Sequence, residues 1–392
     1  MKLLAQIWTV IVMNIRSLPQ RLWMSLAAVL AVGVVVAVLL SFLAMSNGFK
    51  ETLAGTGSDS VAIVTREGSQ SELNSVISRD TVNIISGAPG IARDVNGQPD
   101  YSAELYVVVD GIKRSTGTEV NIPLRGISPA GFTLRDQVAV TRGRMFASGK
   151  NELMVGEGAL RQFSGFELGK QVTFGKTVWT VVGVFSTGGS AFESEVWADA
   201  LTVQAQFRRG SSFQTMRLRL SEPGNVGLLE EFVKNDPRLN LKVETEAAFF
   251  SEQGEALKGI VIFGWILSIV MGAGSLAGAL NTMYTSVAAR TKEIATLRTI
   301  GFSNISAFMG TLAESVLLSF IGGLLGASAV FMWLDGLSAS TLTASFTQVV
   351  FTFELSPDLF TTGLQLALGI GFIGGFFPAW RAARMPVLKA FG

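Results

Sequence analysis

Four stretches of the chain, residues 23–45, 259–283, 305–334 and 359–380, are almost wholly apolar. Each exceeds the roughly 20 residues that an α-helix needs to cross a bilayer at about 1.5 Å per residue. Backbone N–H and C=O groups in lipid must be satisfied within the segment, so these runs read as four transmembrane helices. The first is longer than the ~7–15-residue apolar core of a cleaved secretory signal, and it reads as a retained span.

The basic residues give these spans a direction. Lys2, Arg16 and Arg21 precede the first span, Arg290, Lys292 and Arg298 lie between the second and third, and Arg381, Arg384 and Lys389 follow the fourth. The short connection 335–357 holds no Lys or Arg and carries Asp335 and Glu354. Positive charge marks the cytoplasmic side. Both termini and the middle loop are therefore expected inside, with Ser286 among them. The large segment and the short connection, with Ser128 and Thr343, are expected outside.

Residues 46–258 have the composition of a soluble α/β domain large enough for one big core or two small ones. Runs of β-branched or alternating residues at 60–66, 103–110, 176–185 and 215–220 read as strands. Helices are expected at 70–85, 157–163, 199–207 and 226–236, the last ended by Asp-Pro. The fold class is thus a membrane protein of four transmembrane α-helices, with a large extramembrane α/β (α+β) domain of two lobes between the first and second. In order, the divisions are an amphipathic interfacial helix 1–21, a span 22–45, the outer domain 46–258, a span 259–283, a cytoplasmic loop 284–304, a span 305–334, a short outer loop 335–358, a span 359–380 and a cytoplasmic tail 381–392. In the first of these, Leu4, Ile7, Trp8, Ile11 and Ile15 share one helical face, with Lys2, Gln6, Thr9, Met13 and Arg16 elsewhere. That pattern suits a helix lying in the membrane interface.

The middle loop is the most specific segment. Val287, Ile294, Leu297 and Ile300 recur at helical spacing, and Arg290, Lys292, Glu293 and Arg298 fill the positions between. Gly301 can close this helix with a left-handed cap and Ser303 can open the next. The order Arg290, Thr291, Glu293, Ile294, Arg298, Ile300, Gly301 closely resembles the coupling-helix run of the FtsX-like permeases, the membrane subunits of ABC systems of the MacB-exporter and lipoprotein-release type. The ending, through Pro378, Ala379, Ala382, Ala383 and Pro386, resembles that of the same family, although Lys389 stands near the family's usual acidic residue. In the outer segment, LRGISPAGF at 124–132, RGRMF at 142–146 and the strand, helix, Leu-Gly-Lys and Val-Val-Gly-Val order over 152–185 are similar to the family's periplasmic core domain.

The resemblance implies that Arg290, Thr291, Glu293, Ile294, Leu297 and Arg298 dock on an ATPase. It implies a homodimer of permease subunits with two copies of a separate ABC ATPase subunit, which would hold the ATP and Mg; this chain would bind no cofactor. It implies mechanotransmission, in which ATP-driven closure moves the outer domains to export or extract a periplasmic or membrane-embedded substrate, with an adaptor protein and a TolC-type outer-membrane duct as further partners. The location implied is the bacterial inner membrane. The alternative is a signalling permease of the cell-division type, which activates a periplasmic partner without transport; a third reading is a membrane-anchored receptor with no ATPase.

Several chemistries are excluded. The chain has no Cys and no His, which removes thiol nucleophiles, imidazole-based triads and structural disulfides. A formal charge of +1 and no basic-aromatic stripe give no basis for nucleic-acid binding. The segment GKQVTFGKT at 169–177 suggests a phosphate loop, but its spacing is short by one residue and its lysine enters a strand, so it reads as a hairpin between Val172 and Val178. Glu314 is an ionisable group inside the third span, read as structural in preference to a proton relay. The pairs Gly274/Gly278, Gly322/Gly326 and Gly371/Gly375 have the small-xxx-small spacing that lets helices approach closely.

Overall fold

A computed structural model describes residues 3–69, 71–255, 258–342 and 348–384. Lys2, Gln70, Thr343, Pro386 and Lys389 lie outside the described residues. The chain divides into two compact units, one of Met1–Asn47, Lys258–Leu337 and Phe353–Gly392, the other of Gly48–Leu257 and Ser338–Thr352.

The first unit is helical. Its helices are α1 (Leu3–Ser17), α2 (Leu22–Ala54, whose last residues 48–54 belong to the second unit), α3 (Lys258–Ala289), α4 (Thr291–Thr299), α5 (Asn304–Leu334) and α6 (Pro357–Arg384). Among the described residues, four stretches are long and apolar enough to cross a membrane: Leu3–Ala54, Val261–Ala289, Asn304–Leu334 and Pro357–Arg384. Glycine sets how closely the spans cross. A methyl group at Gly322 would lie 2.5 Å from the Val29 carbonyl oxygen of α2, and one at Gly326 would overlap the Gly33 carbonyl. On α6, Gly371 and Gly375 receive Ser319 and Ser315 of α5, and Ser315 Oγ donates to the Gly371 carbonyl at 2.8 Å. Side chains this small let backbones pack where lipid supplies no hydrophobic drive. Gly274 and Gly278 differ, since among the described residues nothing lies within 4 Å of a methyl group placed at either. They face outward on α3 beside the exposed Ile266, Ile269 and Val270.

The second unit is built on one eleven-stranded mixed sheet. Its main strands are β1 (Val61–Arg66), β2 (Tyr101–Lys113), β3 (Glu119–Ile127), β4 (Ala139–Gly143), β5 (Glu152–Gly156), β6 (Thr177–Ser186), β7 (Val196–Asp199), β8 (Thr215–Arg219) and β9 (Leu241–Thr245). They run in the order β9-β1-β8-β2-β3-β7-β5-β6-β4, so both expected lobes draw on a single sheet. The pairs β3–β7 and β5–β6 are parallel and the other neighbours on this path antiparallel.

Strand alternation separates two faces. One face carries Ala62, Val64, Leu105, Val107, Leu124, Met216 and Leu218 into an apolar core, and Gly126 lets the helix Ala200–Gln206 sit directly on it. The segment 169–177 forms the expected hairpin: Gln171–Phe174 pairs antiparallel with β6, Val172 opposite Trp179, around Gly175. The helix expected at 70–85 is confined to Arg79–Ser86, capped by the Ser78 hydroxyl; a 3-10 turn and a short strand precede it.

The connection after α5 is more than a linker. Residues Ser338–Leu342 (β10) and Gln348–Thr352 (β11) pair antiparallel and belong to the sheet-bearing unit. The Val350 amide donates to Ser194 Oγ at 2.8 Å, Gln162 Nε2 donates to the Ser338 carbonyl at 3.0 Å, and Phe351 meets the Phe49 ring edge-on.

Candidate functional site

The loop between the second and third spans is a designed turn in physical terms. Glu293 in the first turn of α4 and Arg298 in its last turn oppose the helix dipole at both ends. At the C-terminus the Gly301 amide donates to the Arg298 carbonyl at 3.1 Å and the Phe302 amide to the Leu297 carbonyl at 3.0 Å. Gly301 has φ +102°, so this is a Schellman closure in which a side chain would be strained. Ser303 then caps α5, its hydroxyl accepting from the Ser306 amide at 3.1 Å.

Lys292 and Glu293 are exposed, Thr291, Ile294, Leu297 and Arg298 are half-buried, and Ala295 is buried. Arg290 points inward. It is 4% exposed, its Nη1 donates to Glu314 Oε2 at 3.1 Å, and its Nη2 donates to the Asn14 carbonyl at 3.5 Å and to Ser17 Oγ. Glu314 thus faces a guanidinium, and both partners are buried. Val287, at helical spacing with Ile294 and Leu297, lies in α3 and is buried. Arg381, at the basic end of α6, stacks over the Tyr284 ring at 5.6 Å. The residues proposed for docking therefore split into an outward set around Glu293 and the inward Arg290, which pairs with Glu314.

A second constellation, unforeseen in the sequence, fills the opposite face of the outer-domain sheet. Arg125 on β3 lies opposite Tyr106 on β2 and Trp197 on β7, and Arg217 on β8 lies opposite Ser102. Arg125 donates to Glu72 at 2.5 Å and Glu104 at 3.2 Å, and doubly to Glu195. Arg217 donates to Glu104 at 2.7 Å, Glu72 at 2.8 Å and Glu246 at 2.5 Å. Arg135 holds Glu104 with two bonds of 2.9 and 2.8 Å. The Phe192 ring lies under all three guanidiniums, the closest being Arg135 at 4.6 Å. All seven charged residues are buried. Burial alone would push the Glu72 and Glu104 carboxyls up, but the guanidiniums beside them overcome it and hold both at about 2. Burial alone would lower Arg125 and Arg217, but Glu195 and Glu72 beside the first, and Glu104 and Glu72 beside the second, push both above the ordinary range.

Against this geometry, residues 25–235 match the family described as the MacB-like periplasmic core domain, which is more than half of the chain. The chain belongs to the MacB/FtsX-type permease family. Residues 265–387, which include α4 and Glu314, match the FtsX-like permease C-terminal family. This MacB/FtsX-type permease is 27% identical over 332 residues to the macrolide export ATP-binding/permease protein MacB 1/2 of Paracoccus denitrificans, covering 80% of this chain and 48% of that one. It is 26% identical over 243 residues to MacB of Neisseria gonorrhoeae, covering 57% of this chain and 35% of that one. The permease thus spans half or less of the length of these two relatives. Among solved structures, the periplasmic region of MacB from Actinobacillus actinomycetemcomitans aligns with 50% of this chain and 94% of its own at 15% identity and TM-score 0.38. The permease is an ABC transporter membrane protein with a mixed α/β core domain.

Proposed function

We propose that this permease couples ATP hydrolysis by a partner ATPase to movement of its outer domain, and so drives export or extraction of a periplasmic or membrane-embedded substrate. The observation that carries the reading is α4, a nine-residue helix with a glycine-closed end that presents Lys292 and Glu293 to solvent. An amphipathic helix of this kind fits a groove on a partner, with half-buried Ile294 and Leu297 as anchors and the charges at the rim. Two permease subunits would bring two ATPase subunits together, with ATP and Mg held by the ATPase. An adaptor and a TolC-type duct are the proposed outer partners, and a bacterial inner membrane with both termini inside is the proposed setting. The macrolide export named for the relatives, together with a large outer domain, supports transport over signalling.

The test is site-directed crosslinking. Lys292→Cys should crosslink to the partner ATPase in membranes and stay unlabelled by an impermeant thiol reagent added outside sealed cells. Labelling from outside, or no crosslink to any ATP-binding protein, would remove the reading.

A further inference from the structure

α1 carries a second stripe besides its apolar face. Gln6, Val10, Asn14, Ser17 and Arg21 follow one another at spacings of four, four, three and four, which places them on one side of α1 and of the 3-10 turn that extends it. Each meets the segment around α4 or the start of α5. At the exit of α4, Gln6 Nε2 donates to the Gly301 carbonyl at 3.1 Å while Gln6 Oε1 accepts from the Ser303 amide at 3.1 Å. The single carboxamide spans both sides of the turn. At the entrance of α4, the Asn14 carbonyl and the Ser17 hydroxyl accept from Arg290, the residue that caps α4. Arg21 Nη1 donates to the Ser286 carbonyl at 3.3 Å and to its hydroxyl. Between these ends Val10 fills the space above Gly310 of α5. The other side of α1 faces away, with Leu4 80% and Trp8 69% exposed.

We propose that this stripe makes α1 a strut that holds both ends of α4, with Gln6 and Arg290 as its positioning residues. Load placed on α4 then passes into α1 and, through Arg290 and Glu314, into the third span, instead of being absorbed by bending of residues 286–303. The idea rests on the proposed coupling function but makes a claim about the permease alone. Among the described residues both hydrogen bonds of the Gln6 side chain go to backbone atoms, so its part is to fix geometry and not to contact the ATPase.

The experiment uses the full chain in lipid nanodiscs and the variant Gln6→Met, which keeps length and apolar bulk but removes both hydrogen bonds. Thr9→Val is the control, because the Thr9 hydroxyl bonds only the Ala5 carbonyl of its own helix. Two lost hydrogen bonds should speed amide exchange at Ser303 about tenfold in Gln6→Met and leave the control unchanged. In the complex, Gln6→Met should bind the ATPase within about twofold of the parent but lose permease-stimulated ATP turnover by roughly tenfold. Unaltered exchange at Ser303 overturns the strut. Loss of ATPase binding in step with loss of turnover also overturns it, since the residue would then serve docking. Failure of the parent permease to bind an ATPase, with faster exchange still seen in Gln6→Met, would instead remove the coupling function and leave the strut standing.

Discussion

Arg125 grips Glu195 with two parallel hydrogen bonds, Nε to Oε2 at 2.7 Å and Nη2 to Oε1 at 2.6 Å, in the buried face of the outer-domain sheet. The same guanidinium also serves Glu72 and Glu104, so its removal leaves three buried carboxylates short of a partner. Arg125→Met should destabilise the outer domain by about 3–5 kcal/mol, the usual cost of leaving buried charge unpaired. Urea unfolding followed by tryptophan fluorescence measures it. Adding Glu195→Gln should recover part of the loss, because the two residues share one network. Strict additivity would contradict a coupled cluster.

Acid should weaken the same domain. The folded chain holds Glu72 and Glu104 at about 2, below their ordinary value of 4.5, so the unfolded chain binds protons first. Their stabilisation is therefore complete above about pH 4.5 and is lost as the pH falls from there towards 2. Urea midpoints should be level between neutrality and about pH 5 and drop below that. In an Arg125→Met background the drop should shrink. A midpoint that rises on acidification would contradict the assignment.

The spans, the α4 segment with its glycine closure, and most outer strands were legible because each rests on a local rule: apolar length, helical period, cap chemistry or β-branched alternation. The charge network was not. Glu104, Arg125 and Arg217 alternate with apolar residues exactly as solvent-facing strand positions do, and only tertiary cover by the turns bearing Glu72 and Phe192 and the helix opened by Glu246 buries them. The inward turn of Arg290 was hidden for a similar reason, since its partners Asn14 and Glu314 are distant in sequence. The β10–β11 hairpin escaped because a few strand residues between two spans carry little signal by themselves.

Glycine substitutions should separate the Gly322/Gly326 pair from the Gly274/Gly278 pair. Gly326→Val drives a side chain into the Gly33 carbonyl and should lower thermal stability of the detergent-solubilised chain, with overpacking of this kind costing about 1–3 kcal/mol. Gly274→Val meets nothing among the described residues within 4 Å and should leave monomer stability unchanged. Any effect of Gly274→Val would then be confined to association between copies, read by crosslinking across α3.

Orientation can be read with single cysteines, as the chain contains none. Ser286 is buried and bonded by Arg21, and Ser128 caps the helix Pro129–Thr133, so both are poor reporters. Val95 is fully exposed in the outer domain and Thr296 is exposed on α4. An impermeant thiol reagent should label Val95→Cys in sealed cells and leave Thr296→Cys untouched until the membrane is opened. The reverse pattern would invert the topology.

The central claim is that α4 transmits the work of the ATPase. Truncating one side of a desolvated charge pair costs roughly 2–5 kcal/mol, which is more than tenfold in affinity. The decisive measurement is substrate-stimulated ATP turnover, with ATPase retention measured alongside, for permease carrying Glu293→Ala and Arg298→Ala together. The account predicts a folded, membrane-inserted permease that holds the ATPase at least about tenfold more weakly and shows no stimulated turnover. A double variant that keeps the ATPase and its stimulated turnover would reduce α4 to a charged connecting loop and contradict the account.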